Sequence, residues 1–174
     1  MVKKFFCFVW LAFMPTAGLL ANTALHQFGW LEKVTLVNEG ITVNAKLDTG
    51  ANTASLDATH ISYEKDQTGK TWINFETTCE GKKLHLRYPQ VGTSKIKRLI
   101  SRKDKSPHPH LQRPVIEMPI CLGNQKKIIE VNLQNRKRFN YSLLLGRKAI
   151  TQFEGIVNPA KTYLHSACKK LNLD

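Results

Sequence analysis

Two short segments, far apart in the chain, constrain its fold more than any other feature. In Ile41 to Leu47, Val43, Ala45 and Leu47 alternate with Asn44 and Lys46, the period of a half-buried strand. The run ends in Asp48-Thr49-Gly50-Ala51, which exposes one carboxylate on a tight loop at a strand end. Gly50 brings no side chain to obstruct a neighbour, and the Thr49 hydroxyl can brace the loop by hydrogen bonding. Downstream, Leu143-Leu144-Leu145-Gly146-Arg147 reads as an apolar strand ending in Gly, able to pack tightly beneath that loop. Asp48 is therefore the candidate catalytic group, with Thr49 and Gly50 framing it. Asp also serves simply to brace turns. The Thr-Gly-Ala that follows and the distant Leu-Leu-Gly favour chemistry over bracing.

The rest of the chain carries mainly strand and turn signals. Leu31 to Val37 reads as a strand, and Asn38-Glu39-Gly40 turns it into the acidic-loop strand. Residues 72–77 alternate between two faces, preceded by a turn at Gln67-Thr68-Gly69-Lys70 and followed, after Glu80-Gly81, by Lys83 to Tyr88. Val115 to Leu122 and Ile128 to Leu133 flank Gly123-Asn124 as a hairpin, and Arg147 to Phe153 forms one short helix. Many short strands argue for a barrel or a sandwich. Pro107, Pro109 and Pro114 mark Val91 to Arg113 as a long loop, a length that suggests a lid or a disordered segment.

The first 21 residues read as an export signal: Lys3 and Lys4, an apolar stretch from Phe5 to Met14, and small residues from Ala17 to Ala24. Cleavage after Ala21 or after Ala24 fits equally well. The apolar stretch is too short for a stable membrane anchor. Residues 22–174 then form a single domain, expected in the periplasm or secreted. Cys79, Cys121 and Cys168 remain, enough for one disulfide and one thiol, with all three pairings open. Core packing is the expected fate of Cys79 and Cys121.

The net charge of +13 includes a dense group, Lys95, Lys97, Arg98, Arg102, Lys103 and Lys105, opposed by Asp104 alone. Lys126, Lys127, Arg136, Lys137, Arg138, Arg147 and Lys148 add two more groups. Such fields draw anionic partners. Nucleic acid is not expected, because no aromatics interleave the basic loop to stack bases. Anionic peptide, polyglutamate-like chains, cell-wall polymer or lipid headgroups fit better, and a merely solvated loop is the plain alternative. No cofactor is expected. Gly69-Lys70-Thr71 copies the end of a phosphate-binding motif, but Glu64 stands where its first Gly belongs. His108-Pro109-His110 could place two imidazoles on one zinc ion, without an obvious third ligand and inside a positive loop. Asp57 is expected to be a surface acid, and His60 and His85 ordinary surface or half-buried residues.

The Asp-Thr-Gly and apolar-apolar-Gly pair resembles the signature of retropepsin-type aspartic proteases. From Gly29-Trp30 to Leu164 the chain further resembles a bacterial family of retropepsin-like endopeptidases that also carries the label of ATP-dependent zinc proteases. Its members accompany ATP-grasp ligases that add glutamate to proteins. The resemblance rests on Gly29-Trp30, Ala45 to Thr53, Asn135 to Arg147, and Val157 to Leu164. Asn52 and Asp57 depart from it, standing where a basic residue and a His are expected. The resemblance implies an all-β closed barrel of the acid-protease type with one short helix. It also implies hydrolysis of peptide or isopeptide bonds by an Asp dyad. One Asp-Thr-Gly per chain then requires a two-fold homodimer, with the segment between Leu84 and Arg113 as a cover, and Arg147 tying the loop or the dimer together. The rival expectations are a catalytically silent peptide- or polymer-binding module of the same fold, and a zinc-dependent hydrolase.

Overall fold

The structure is a computed structural model that describes residues 25–97 and 110–168. Its elements are β1 (His26–Leu36), β2 (Ile41–Asp48), β3 (Ala54–Asp57), β4 (Thr59–Lys65), β5 (Thr71–Cys79), β6 (Lys82–Lys97), β7 (His110–Leu122), β8 (Gln125–Gln134), β9 (Leu143–Gly146), α1 (Arg147–Gln152) and β10 (Gly155–Thr162). Six strands close into a ring in the order β1-β2-β9-β3-β8-β7, sealed where Thr35 and Leu36 pair with Cys121 and Ile120. From β7 the antiparallel strands β6, β5 and β4 continue outward, and β10 adds to β1 in parallel. Among the described residues the fold is an all-β closed barrel with one short helix, as the resemblance implied.

Alternation explains the core. Val43, Ala45 and Leu47 of β2 point inward, meeting Phe28 and Leu36 of β1, Leu56 of β3, Met118 and Ile120 of β7, and Leu143 of β9. Each of these side chains larger than Ala45 contributes about 1.5–3 kcal/mol on leaving water, before chain entropy is counted. The β7–β8 hairpin turns at Gly123 (φ 56°) and Asn124 (φ 65°), both left-handed, as a two-residue turn matched to the twist of its strands requires.

The expected long loop at Val91 to Arg113 is corrected. Residues 91–97 belong to β6 and residues 110–113 to β7, paired in register from Gly92↔Val115 to Lys97↔His110. Residues 98–109, which include His108 and most of the basic group, lie outside the described residues, as does the export segment.

Cys79 and Cys121 are buried, as expected; Cys121 is in addition bonded to Cys168 across 47 residues, while Cys79 is a free thiol. The bridge fastens a C-terminal strap laid along β1. In that strap the Tyr163 amide donates to the Leu31 carbonyl (2.7 Å). The Leu164 and His165 amides donate to the two oxygens of Glu32 (3.0 and 3.2 Å), whose Oε1 also accepts from Gly29 (2.7 Å). Glu32 is fully buried, its charge met by backbone donors. Closing a loop of this length restricts the unfolded chain by about 4 kcal/mol in the chain-entropy view. Reduction is therefore expected to lower the urea midpoint clearly without dissolving the barrel, checked by denaturation with and without dithiothreitol.

Candidate active site

Asp48 is the last residue of β2, and its position is fixed from the neighbouring strand. β2 runs parallel to β9, with Lys46 opposite Leu144, Leu47 opposite Leu145 and Asp48 opposite Gly146. Leu145 and Gly146 are buried directly behind the acidic loop. A Cβ on Gly146 would come within 2.6 Å of the Thr53 carbonyl oxygen and 2.9 Å of that of Ala51. Only a residue without a side chain lets the two segments meet this closely.

The carboxylate then folds back on its own loop. Oδ1 accepts from the amides of Gly50 (3.0 Å) and Ala51 (3.3 Å), and Oδ2 lies 3.3 Å from Lys46 Nζ. Partial burial works to raise the Asp48 carboxyl, but Lys46 and the two amides outweigh it and hold it below the ordinary carboxylate value. Thr49 and Gly50 are exposed at the tip, so the acid and its frame open to solvent in the single chain.

Arg147 ties the loop, as anticipated. Its Nη1 donates to the carbonyls of Thr49 and Gly50, each at 3.0 Å, and its backbone amide donates to Ala51 (2.9 Å). The Lys148 amide continues the clasp to the Asn52 carbonyl (3.1 Å). Asn132 of β8 supports the far side, donating to Thr53 Oγ1 (3.1 Å) while its Oδ1 accepts from Arg113 Nη1 (3.3 Å). A cavity of about 320 Å³ opens there, between Asn52, Thr53, Gly92, Ser94, Asn132 and Lys148.

Asp57 is not the surface acid expected from sequence. It is buried at the end of β3, where its Oδ1 accepts the Arg136 amide (2.6 Å). Its role is to hold the segment that returns the chain to β9. The functional neighbours that sequence reasoning missed are Lys46, Arg113 and Arg136. The Lys46 signal was available, since it sits two residues before Asp48 on the same face of a strand. Arg136 is buried, its Nε donates to the Tyr141 carbonyl (3.2 Å), and its guanidinium lies over the Phe139 ring. Burial and the charge of Arg113 act to lower Arg136, against the carboxylates of Asp57 and Asp48. Arg136 thus feels the charges of Arg113, Asp57 and Asp48.

His60 and His85 are exposed, as expected, and both flank Glu76, with Nδ1 at 2.9 and 3.6 Å. Lys83 Nζ, at 2.6 Å, already occupies that carboxylate. Among the described residues no three His, Cys, Asp or Glu side chains gather as a metal set. His108 and the side chain of His110 lie outside them. The described residues do not fit a zinc site. No described helix is long and apolar enough to cross a membrane.

A closed barrel of this topology, with Asp-Thr-Gly at a strand end and Leu-Leu-Gly behind it, defines an acid-protease-like fold. The chain belongs to the RimB-like family of retropepsin-like aspartic endopeptidases, whose profile matches residues 27–167. A solved Legionella pneumophila protein of unknown function is 39% identical, with a TM-score of 0.67, covering 80% of this chain and 97% of that one. Curated proteins from Shewanella halifaxensis and Shewanella pealeana, each named "Probable alpha-L-glutamate ligase", are 31% and 30% identical over 125 residues. Those matches cover 70% of this chain but only 25% of the relatives, so the chain spans about a quarter of their length.

Proposed function

We propose that this chain is an exported aspartic endopeptidase that hydrolyses peptide or isopeptide bonds through two copies of Asp48 in a homodimer. The observation that carries the reading is the loop itself: a partly exposed carboxylate held by the Gly50 and Ala51 amides, on a loop that Arg147 clasps through the Thr49 and Gly50 carbonyls, with one copy per chain. Two facing carboxyls cannot both ionise readily, so they hold one proton between them. One carboxylate takes a proton from water as the water oxygen bonds to the carbonyl carbon, and the other carboxyl gives its proton to the carbonyl oxygen. One hydroxyl of the tetrahedral carbon then gives its proton to the second carboxylate as the C=O bond reforms and the C–N bond breaks, and the amine leaves with the proton held by the first, so the dyad again carries one proton. Export is supported by the basic and apolar start of the sequence. An anionic substrate is supported by the net charge of +13 and by Arg136, whose charge feels Asp48.

The test pairs sedimentation velocity with cleavage of acidic and neutral peptides, followed by mass spectrometry. A dimer that cleaves the acidic peptides faster, with the preference shrinking in salt, is the expected result. A strict monomer that binds but never cleaves would assign the chain to the silent binding modules.

A further inference from the structure

The proposed dyad depends on one proton, and the structure puts a cation where that proton would compete. Lys46 and Asp48 are two residues apart on β2, on the same partly exposed face, and Lys46 Nζ lies 3.3 Å from Oδ2. Oδ1 is committed to the amides of Gly50 and Ala51. Both oxygens of a single subunit's carboxylate therefore already have positive partners. From α1, Arg147 faces the loop but directs Nη1 at the Thr49 and Gly50 carbonyls. From the segment after β8, Arg136 acts at longer range, and Asp57 of β3 is turned to the Arg136 amide. Lys46 is the one side-chain cation in contact with the Asp48 carboxylate among the described residues.

We propose that Lys46 is a positioning residue that sets the proton occupancy of Asp48, holding it charged in the separate subunit and competing with the shared proton when two copies meet. This inference rests on the dyad reading. A carboxylate held by an ammonium keeps its charge to lower pH, so the window in which the pair carries one proton moves to the acid side. Removing the ammonium leaves two carboxylates whose mutual repulsion retains the proton to higher pH. Both limbs of the activity profile then move up.

The Lys46 side chain is partly exposed, so its variants should fold. In Lys46→Met, both limbs of the kcat/KM profile should rise by roughly one pH unit or more. Lys46→Arg keeps a cation and should return the profile close to that of the unaltered protein. A second readout needs no activity: the carbon-13 titration of the Asp48 carboxyl in dilute, monomeric protein. Its midpoint should rise in Lys46→Met and stay in Lys46→Arg. An unmoved midpoint in folded Lys46→Met overturns the role of Lys46, even where hydrolysis is seen. A raised midpoint with no hydrolysis by any variant at any pH overturns the dyad instead, and leaves the hold of Lys46 on the carboxyl standing.

Discussion

Asp48→Asn is expected to remove peptide hydrolysis while leaving the barrel intact. The amide keeps the shape of the carboxyl and its Oδ1 can still accept from Gly50 and Ala51, so the loop should persist. The ability to take a proton from water is gone, and so is the proton shared by the pair. Acid–base assistance of this kind is worth about 10²–10⁴-fold, and a symmetric dimer loses both copies together, so at least that loss should appear in kcat/KM. Melting temperature should stay within a few degrees, because the Lys46 partnership that is lost lies largely in water. Full activity in a folded Asn variant would sink the aspartic mechanism. For the unaltered protein, activity should peak at acidic pH, where one carboxyl of the pair is protonated.

The largest loss of stability is expected at Glu32. Glu32→Ala leaves three backbone amides, those of Gly29, Leu164 and His165, without their acceptors, and opens a space in a fully buried position. An unsatisfied buried donor costs about 1–3 kcal/mol, and the Gly29 amide is buried, so a total loss of about 3 kcal/mol should be read from urea unfolding. Glu32→Gln keeps the volume and one acceptor oxygen and should lose less. If the Ala variant unfolds at the same urea concentration as the unaltered protein, the strap is decoration rather than a fastening.

The catalytic half of the architecture was legible because it repeats a simple period. β2 alternates cleanly into Asp48, and β9 is a short apolar run stopped by Gly146, so both segments and their contact could be read from residue order alone. β3 could not. All four residues from Ala54 to Asp57 are buried, so inward and outward positions look alike and Asp57 reads as a solvated acid. β10 failed for the opposite reason. It is mostly exposed and contains Pro159, leaving almost no apolar face to detect. In residues 91–97 and 110–113, Lys95 and Lys97 and the neighbouring Pro107, Pro109 and Pro114 concealed two strand ends whose pairing is set by the rest of their hairpin. The disulfide needed coordinates, because nothing in the spacing of three cysteines says which two will meet.

The parallel pairing of β2 with β9 also has a consequence in time. The floor of the Asp48 loop is made by Gly146, and its clasp by Arg147, which reaches back 98 positions to the Thr49 carbonyl. Contacts of such separation form late, since the intervening chain must be gathered before they repay its lost freedom. A growing chain that has made β2 but not β9 therefore carries the Asp-Thr-Gly residues without the surface that shapes them. The segment that completes the loop is also the one that leads directly into α1, β10 and the strap. The acid acquires its working geometry only once β9 has been made and paired, so a product truncated before Leu143 holds the motif in its sequence and lacks the floor and clasp of the site.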